Sequence, residues 1–172
     1  MIIDINDLKM IREKNISKKI VLLKGSFDLL HTGHIYMMEQ AKKYGDILVV
    51  IVKPNIAIKS KGSDRPIIDE LDRVLQVDSI KFVDYTILAN QDIKKYDYKD
   101  IKNLQTNRYC EIVNELKPDI LVHPKGHTNP NELEKLYNKL NTKIIEIERN
   151  KDKPSTTEII NKIRNKKQDK ID

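Results

Sequence analysis

The sequence predicts an α/β fold, with a single doubly wound parallel sheet of about five strands and helices on both faces. Two observations lead to this prediction. Residues 19–25 (KIVLLKG) and 46–53 (DILVVIVK) are nearly continuous apolar runs, typical of strands buried on both faces of a parallel sheet. Between them, residues 33–45 carry apolar or small side chains at helical spacing, and Gly45 ends that segment. A strand–helix–strand unit with short connections therefore opens the sheet.

The same alternation continues along the chain. The predicted strands cover 19–25, 46–53, 83–89, 119–124 and 142–148, and the predicted helices cover 33–45, 68–80, 108–118, 129–140 and 155–167. Residues 1–17 are predicted to form a short amphipathic helix or arm. Residues 90–107 are polar and ambiguous, and we expect an excursion there. Because no internal repeat or linker interrupts the pattern, the 172 residues are expected to form one Rossmann-like domain with a core at about 19–165.

Charge and cysteine content limit the class of protein. No apolar stretch reaches the roughly 20 residues of a membrane helix, and residues 1–15 lack the apolar region of a signal peptide. The single cysteine, Cys110, excludes an internal disulfide. These features predict a cytoplasmic protein with no membrane partner. The net charge of +6 leaves three interpretations open: a nucleic-acid partner, an anionic small substrate, or a solvated lysine-rich surface.

The segment GSFDLLHTGH begins where the first predicted strand ends, which is where open α/β sheets bind ligands. Gly25 and Gly33 allow a close approach of the backbone to a ligand, and Gly25 can adopt a positive φ. The helix that follows turns its N–H groups and the positive end of its dipole towards the same space. His31 and His34 add two hydrogen-bond donors. The segment therefore predicts a phosphate site.

The histidine pair has two further candidate roles. A zinc site built from His31, His34, His123 and His127 is disfavoured, because the first pair is three residues apart without a carboxylate between and the second pair lies in a predicted loop. A purely structural role, in which the two histidines are hydrogen-bonded within a turn, is the second.

A second anion-binding segment, PSTTEIINKI, opens the last predicted helix. Ser155 and Glu158 have the spacing of a capping box. Thr156 and Thr157 place two hydroxyl groups in the same helical turn. We expect this segment and GSFDLLHTGH to face one cleft from its two sides.

These segments resemble the signatures of the HxGH nucleotidyltransferases, a cytidylyltransferase-like family. GSFDLLHTGH matches G-x-F-D-x-x-H-x-G-H in register, and PSTTEIINKI resembles the family's Ser/Thr-Ser/Thr-x-I-I signature. The resemblance covers roughly residues 19–165 and is closest to the D-glycero-β-D-manno-heptose 1-phosphate adenylyltransferases, through KGSDRPI (61–67), LDR (71–73) and KPDILVHPKGH (117–127). Glycerol-3-phosphate cytidylyltransferases and archaeal FAD synthetases share the core motifs and remain alternatives.

The resemblance implies transfer of a nucleotide from a nucleoside triphosphate, with ATP favoured, to a phosphorylated small molecule such as a sugar 1-phosphate, with release of pyrophosphate. His31 and His34 are expected to stabilise the α-phosphate. Lys61, and with it Lys59, is expected to reach the triphosphate or the acceptor, and Arg73 to hold the pyrophosphate or the acceptor. Mg²⁺ is the expected cofactor, bridging triphosphate oxygens.

The remaining site residues implied by the resemblance fall in three groups. Phosphate and nucleotide contacts are expected from Gly25, Ser26, Phe27, Asp28 and Gly33, from Ser155, Thr156 and Thr157, and from Lys125, Gly126 and His127, which would recognise base and ribose. For Asp28 the alternative is a purely structural role in ordering the turn. The heptose subgroup usually has an acidic residue where His127 stands, so base and acceptor stay open. Nucleic acid is not an expected partner, and a homodimer is allowed because similar proteins are commonly dimers. The rival from another class is a basic module that binds nucleotide or RNA without turnover.

Overall fold

The computed structural model describes residues 1–59, 62, 64–89, 101–126, 137 and 141–168, with the backbone alone for 101–107, 167 and 168. Its strands are β1 (Ile2–Ile3), β2 (Ile20–Gly25), β3 (Ile47–Val52), β4 (Tyr85–Leu88), β5 (Ile120–Pro124) and β6 (Lys143–Ile147). Its helices are α1 (Leu8–Lys14), α2 (Thr32–Lys42), α3 (Asn55–Ile58), α4 (Glu70–Asp78), α5 (Ile101–Leu116) and α6 (Thr156–Gln168), and a 3₁₀ turn spans Ile5–Asp7.

The described strands form one sheet in the order β1-β4-β3-β2-β5-β6, and all neighbours are parallel. The chain moves from β2 to β3 and β4 on one side, then returns to place β5 and β6 on the other. The strand order therefore reverses between β2 and β5. The carboxyl ends of strands at such a switch point flank a crevice, which is the usual ligand site of this topology.

Side chains of the central strands alternate between two cores. Ile20 and Leu22 of β2 pack in one cluster with residues of α1 and α5. Val21 and Leu23 pack in the other with residues of α2 and α4. The sheet is covered on both faces, as the apolar runs predicted. We call these the α5 face and the α2 face.

The predicted fold class is confirmed, with six strands instead of about five. The additional strand is β1, which the sequence pattern places in a helix or arm. Residues 1–17 divide because Asp4 starts a capping box with Asp7, so the helical part begins only after the strand. The Thr86 N–H donates to the Met1 carbonyl and joins β1 to β4.

The polar segment 90–107 differs in part from its predicted structure, since α5 starts at Ile101, seven residues before the predicted start at 108. Its first two turns hold few apolar residues, so the helical pattern becomes visible only further along, where Tyr109, Ile112 and Val113 pack on the sheet. Residues 90–100 lie outside the described residues. So does most of the predicted helix 129–140, of which Tyr137 is described as helical and buried.

No helix within the described part of the chain is long and apolar enough to cross a membrane.

Candidate active site

A cavity of about 1160 Å³ opens at the carboxyl ends of β2 and β5, at the switch point of the sheet. This volume lies at the upper end of the ~300–1,000 Å³ typical of small-ligand pockets. The cavity brings together ten of the predicted site residues, which are Gly25, Ser26, Phe27, Asp28, His31, Gly33, His34, Ser155, Thr156 and Thr157. The two motifs, far apart in sequence, line the same space.

The two histidines of the first motif form a stacked pair. Their ring centroids lie 3.8 Å apart, and the His34 ring also meets the edge of Phe27 at 5.3 Å. His31 is the N-cap of α2, because the Gly33 N–H donates to its Nδ1 at 3.1 Å. Each imidazole is thus held by the start of the helix and by its neighbour, which fixes both rings at the wall of the cavity.

Thr156 connects the second motif to the first. Its hydroxyl donates to the Asp28 carbonyl at 2.9 Å, and its Oγ1 lies 3.3 Å from His31 Nε2. Since His31 Nδ1 accepts from Gly33, the neutral ring carries its proton on Nε2 and donates it to Thr156. The predicted capping box is confirmed: the Ser155 N–H donates to Glu158, and the Glu158 N–H donates to Ser155 Oγ.

The surroundings of His31 favour the neutral form of its imidazole. Burial and, secondly, the positive charge of Arg149 lower the pKa of its imidazole, while Glu158 opposes them. A neutral His31 offers one N–H donor at Nε2 and keeps the acceptor that caps α2. Protonation at Nδ1 would place a donor against the Gly33 N–H and break that cap.

The loop after β2 is strained at two residues that are not glycine, since φ is +51° at Phe27 and at Leu29. Gly25 ends β2 and does not use the positive φ that is open to it. Gly25 is required for space instead. A Cβ there would lie 2.5 Å from Cζ of the Phe27 ring, and one at Gly33 would lie 2.9 Å from the His31 ring.

Asp28 organises the loop from inside the protein. Its side chain is 2% exposed, and its Oδ1 accepts from the Ile67 and Ile68 N–H groups at 2.9 and 3.0 Å. Its Oδ2 forms an ion pair with Arg65 at 3.0 Å. The carboxylate thereby ties the RPI part of the KGSDRPI segment to the histidine loop, and its charge is balanced by Arg65.

Arg73 does not line the cavity, contrary to the role expected for it. Its side chain is fully buried, and its guanidinium donates to the carbonyls of Ile68, Ser26 and Lys53 and to Asn55 Oδ1. Four of its five N–H groups are therefore occupied by protein acceptors. A guanidinium bound in this way holds the ends of two strands together and is not placed to contact a pyrophosphate or an acceptor.

The remaining predicted residues lie elsewhere. Lys59 and Lys125 are exposed and are not among the residues lining the cavity, and Lys125 pairs with Glu148 at 2.5 Å. Gly126 follows Lys125 with φ +76°. Lys61 and His127 lie outside the described residues.

The cavity is also lined by residues that are not among the predicted site residues. They are Lys24, Lys53, Arg65 and His123, and Arg149 joins them beside α6. A signal for the first two is present in the sequence, because each lysine stands at the carboxyl end of an apolar strand. His123 is recognisable as the polar residue at the end of β5, next to the switch point.

A resident metal site does not emerge from the described residues. They contain no group of three or more His, Cys, Asp or Glu side chains that could hold an ion. Both ring nitrogens of His31 face protein partners, Gly33 and Thr156.

The topology and the cavity define a doubly wound α/β protein with its ligand site at the switch point. A model of the cytidylyltransferase-like family matches residues 22–162. The chain belongs to the cytidylyltransferase-like family, and the nucleotidyltransferase class expected from the motifs is confirmed.

Its relatives include the bifunctional protein HldE of Desulfatibacillum aliphaticivorans, 36% identical over 151 residues, which cover 86% of this chain and 27% of that protein. The bifunctional protein HldE of Campylobacter fetus is 32% identical over 157 residues, covering 91% of this chain and 30% of that protein. The chain thus spans less than a third of the length of these relatives.

Two solved structures have the same fold. A lipopolysaccharide core biosynthesis protein from Thermoplasma volcanium superposes with a TM-score of 0.56 at 29% identity, covering 77% of this chain and 97% of that one. A pantoate–β-alanine ligase from Francisella tularensis superposes with a TM-score of 0.61 at 20% identity, covering 86% of this chain and 66% of that one. The second likeness concerns the fold alone.

We predict that two neighbouring charges move the pKa of His31 in opposite directions. Arg149→Gln removes a positive charge, so the pKa of His31 rises towards its usual value, whereas Glu158→Gln lowers it further. NMR titration of the histidine ring protons measures both shifts, with Lys81→Gln as a distant control. An Arg149→Gln variant in which the His31 pKa falls or stays constant contradicts the assigned electrostatics.

We also predict that Arg73→Lys destabilises the fold by about 2–4 kcal/mol, because a single ammonium cannot reach four acceptors in a buried site. Urea unfolding measures the loss. Arg164→Lys is the matched control: this arginine is 61% exposed and pairs with Asp64, and its replacement should change stability by less than about 0.5 kcal/mol. Equal losses of stability in the two variants would show that the buried hydrogen bonds of Arg73 do not stabilise the fold.

Proposed function

We propose that this domain transfers a nucleotide from a nucleoside triphosphate, with ATP favoured, to the phosphate of a small molecule such as a sugar 1-phosphate. The observation that supports the proposal most is the contact between the two motifs, in which His31, Thr156 and the Asp28 carbonyl form one hydrogen-bonded chain at the cavity wall. A triphosphate needs hydrogen-bond donors on both sides of its binding site. These hydrogen bonds hold the two motifs, one on each side, next to each other.

The reaction requires little acid–base chemistry. An oxygen of the acceptor phosphate attacks the α-phosphorus, and the bond from that phosphorus to the β-bridging oxygen breaks. Pyrophosphate leaves with the electron pair. Because the second pKa of a phosphomonoester is about 6, the nucleophile is already anionic at neutral pH. The protein's task is to position the two phosphates and to stabilise charge at the α-phosphate.

The proposed roles follow from the placement of each donor. In this proposal His34 faces the α-phosphate. His31, whose Nε2–H donates to the Thr156 hydroxyl and whose neutral form preserves the cap of α2, holds the Thr156 hydroxyl beside that phosphate. Thr157 and the positive end of the α6 dipole face the remaining phosphates. Arg149 adds positive charge on the same side of the cavity. Arg73 acts as a positioning residue behind this wall.

Mg²⁺ enters the proposal with the nucleotide. Asp28, the buried carboxylate of the motif, is already engaged by two N–H groups and Arg65 and is not free to bind an ion. A Mg²⁺ ion that arrives with the nucleotide would supply positive charge at the phosphates, with few ligands from the protein itself.

The acceptor class is supported by two kinds of relationship. The motif segments resemble heptose 1-phosphate adenylyltransferases, and the 29%-identical Thermoplasma structure is described as a lipopolysaccharide core biosynthesis protein. Both favour a phosphorylated sugar over glycerol 3-phosphate or FMN.

Pyrophosphate release tests the proposal. ATP and CTP are each combined with sugar 1-phosphates, glycerol 3-phosphate and FMN, and release is expected with ATP and a sugar 1-phosphate. His34→Asn should lower kcat on the order of 10²-fold with an unchanged melting temperature, since it removes a donor to the transition state. Absence of release with every pair, together with tight binding of RNA or nucleotide, would favour the module without turnover.

A further inference from the structure

We infer that Lys24 and Lys53 form the anion subsite for the acceptor, a phosphomonoester dianion, on the opposite side of the sheet edge from the histidine pair. This inference rests on the proposed function, because it assigns the second substrate of the same cavity. Both lysines line that cavity, and neither belongs to a motif that carried the family resemblance.

The sheet places the two lysines side by side. In the pairing of β2 with β3, Lys24 stands opposite Ile51, and the Lys53 N–H donates to the Gly25 carbonyl at 2.9 Å. Lys53 is therefore two residues after Ile51, which is the partner of Lys24 on β3. Side chains two residues apart on a strand lie on the same face of the sheet, so Lys24 and Lys53 share a face. Two ammonium groups are thus directed into one corner of the cavity.

The same alternation separates this corner from the histidines. Lys24 follows Ile20 and Leu22 in the alternation of β2 and so lies on the α5 face, where its Nζ sits 3.7 Å from the centroid of the Tyr109 ring. Phe27, which packs against His34, belongs to the core of the α2 face. The cavity extends over both the α2 face and the α5 face. A nucleotide bound at the histidines therefore leaves the corner with Lys24 and Lys53 open to the acceptor.

Within the described part of the chain, carboxylates do not balance the charges in this corner. The ion pairs there include none with Lys24 or Lys53. Burial lowers the pKa of both, and the nearby Lys53 contributes to lowering the pKa of Lys24 to about 8. Placing two cations together away from water costs free energy in the empty protein. A dianion recovers that cost when it binds, and a phosphomonoester carries about −1.5 to −2 at neutral pH.

Lysine-selective NMR tests the subsite without requiring turnover. The side-chain signals of Lys24 and Lys53 are assigned with Lys24→Gln and Lys53→Gln, and inorganic phosphate is the probe. Phosphate is expected to raise the pKa of Lys24 from about 8, whereas Lys81, an exposed lysine beside the ring of Phe82, serves as the matched control. If Lys24 and Lys81 respond alike, the inference is overturned.

Kinetics then identify which substrate the lysines bind. Lys24→Gln and Lys53→Gln should each raise the KM for the acceptor on the order of tenfold or more, with the KM for the nucleotide changed less than about twofold. A selective rise in the nucleotide KM would overturn the assignment. Both variants should melt at the same or a higher temperature than the parent protein, because a buried charge without a carboxylate partner is removed; a large loss of stability would indicate structural lysines instead.

The two proposals fail in different ways. If the proposed function is wrong, no pair of substrates releases pyrophosphate, while the NMR response of Lys24 to phosphate is still measured. If the subsite is wrong, pyrophosphate is released, and neither Lys24→Gln nor Lys53→Gln changes the KM for the acceptor.

Discussion

The buried guanidinium of Arg73 is the constraint on which the site depends. By donating to the carbonyls of Ser26 and Lys53, it fixes the backbone just after β2 and β3 at one point. The loop that carries His31 begins at Ser26, and Lys53 directly follows β3. A charged group holds these carbonyls more strongly than a neutral donor could, and a planar fork with five donors is the side chain suited to several acceptors at once. The positions of both proposed substrates therefore depend on a residue that touches neither of them.

Asp28 performs the complementary task with negative charge. Its carboxylate holds the segment around Arg65 and Ile67, and its carbonyl receives the hydroxyl of Thr156. The carboxylate of the motif is thus turned into the protein, while the cavity keeps His31, Arg149 and the two strand-end lysines. Separating the charges in this way leaves a positive cavity inside a stable fold, which suits two anionic substrates that would otherwise repel each other.

The fold class and the two motifs can be predicted from the sequence, because both depend on local signals. Apolar runs identify buried strands, and the capping residues Ser155 and Glu158 identify the start of α6 without reference to the rest of the chain. Residues whose role is decided by distant partners cannot be assigned in this way. The sequence suggests a phosphate-binding role for Arg73, and only the fold shows that carbonyls from three separate segments surround it. The position of Lys24 near the end of an apolar strand marks it as a candidate, but its pairing with Lys53 becomes visible only when the neighbouring strand is known. The start of α5 is hidden because polar turns carry little periodic signal.

In the proposed reaction, the cavity at the switch point transfers the nucleotidyl group, which carries the α-phosphate, from a nucleoside triphosphate to a phosphorylated acceptor. Parallel reactions with α-³²P- and γ-³²P-labelled nucleotide test it most directly, since they follow the fate of each phosphate. The α label is expected to enter a new product containing the acceptor, and the γ label is expected only in pyrophosphate. Transfer of the γ label to the acceptor, or release of both labels without an acceptor product, would contradict it.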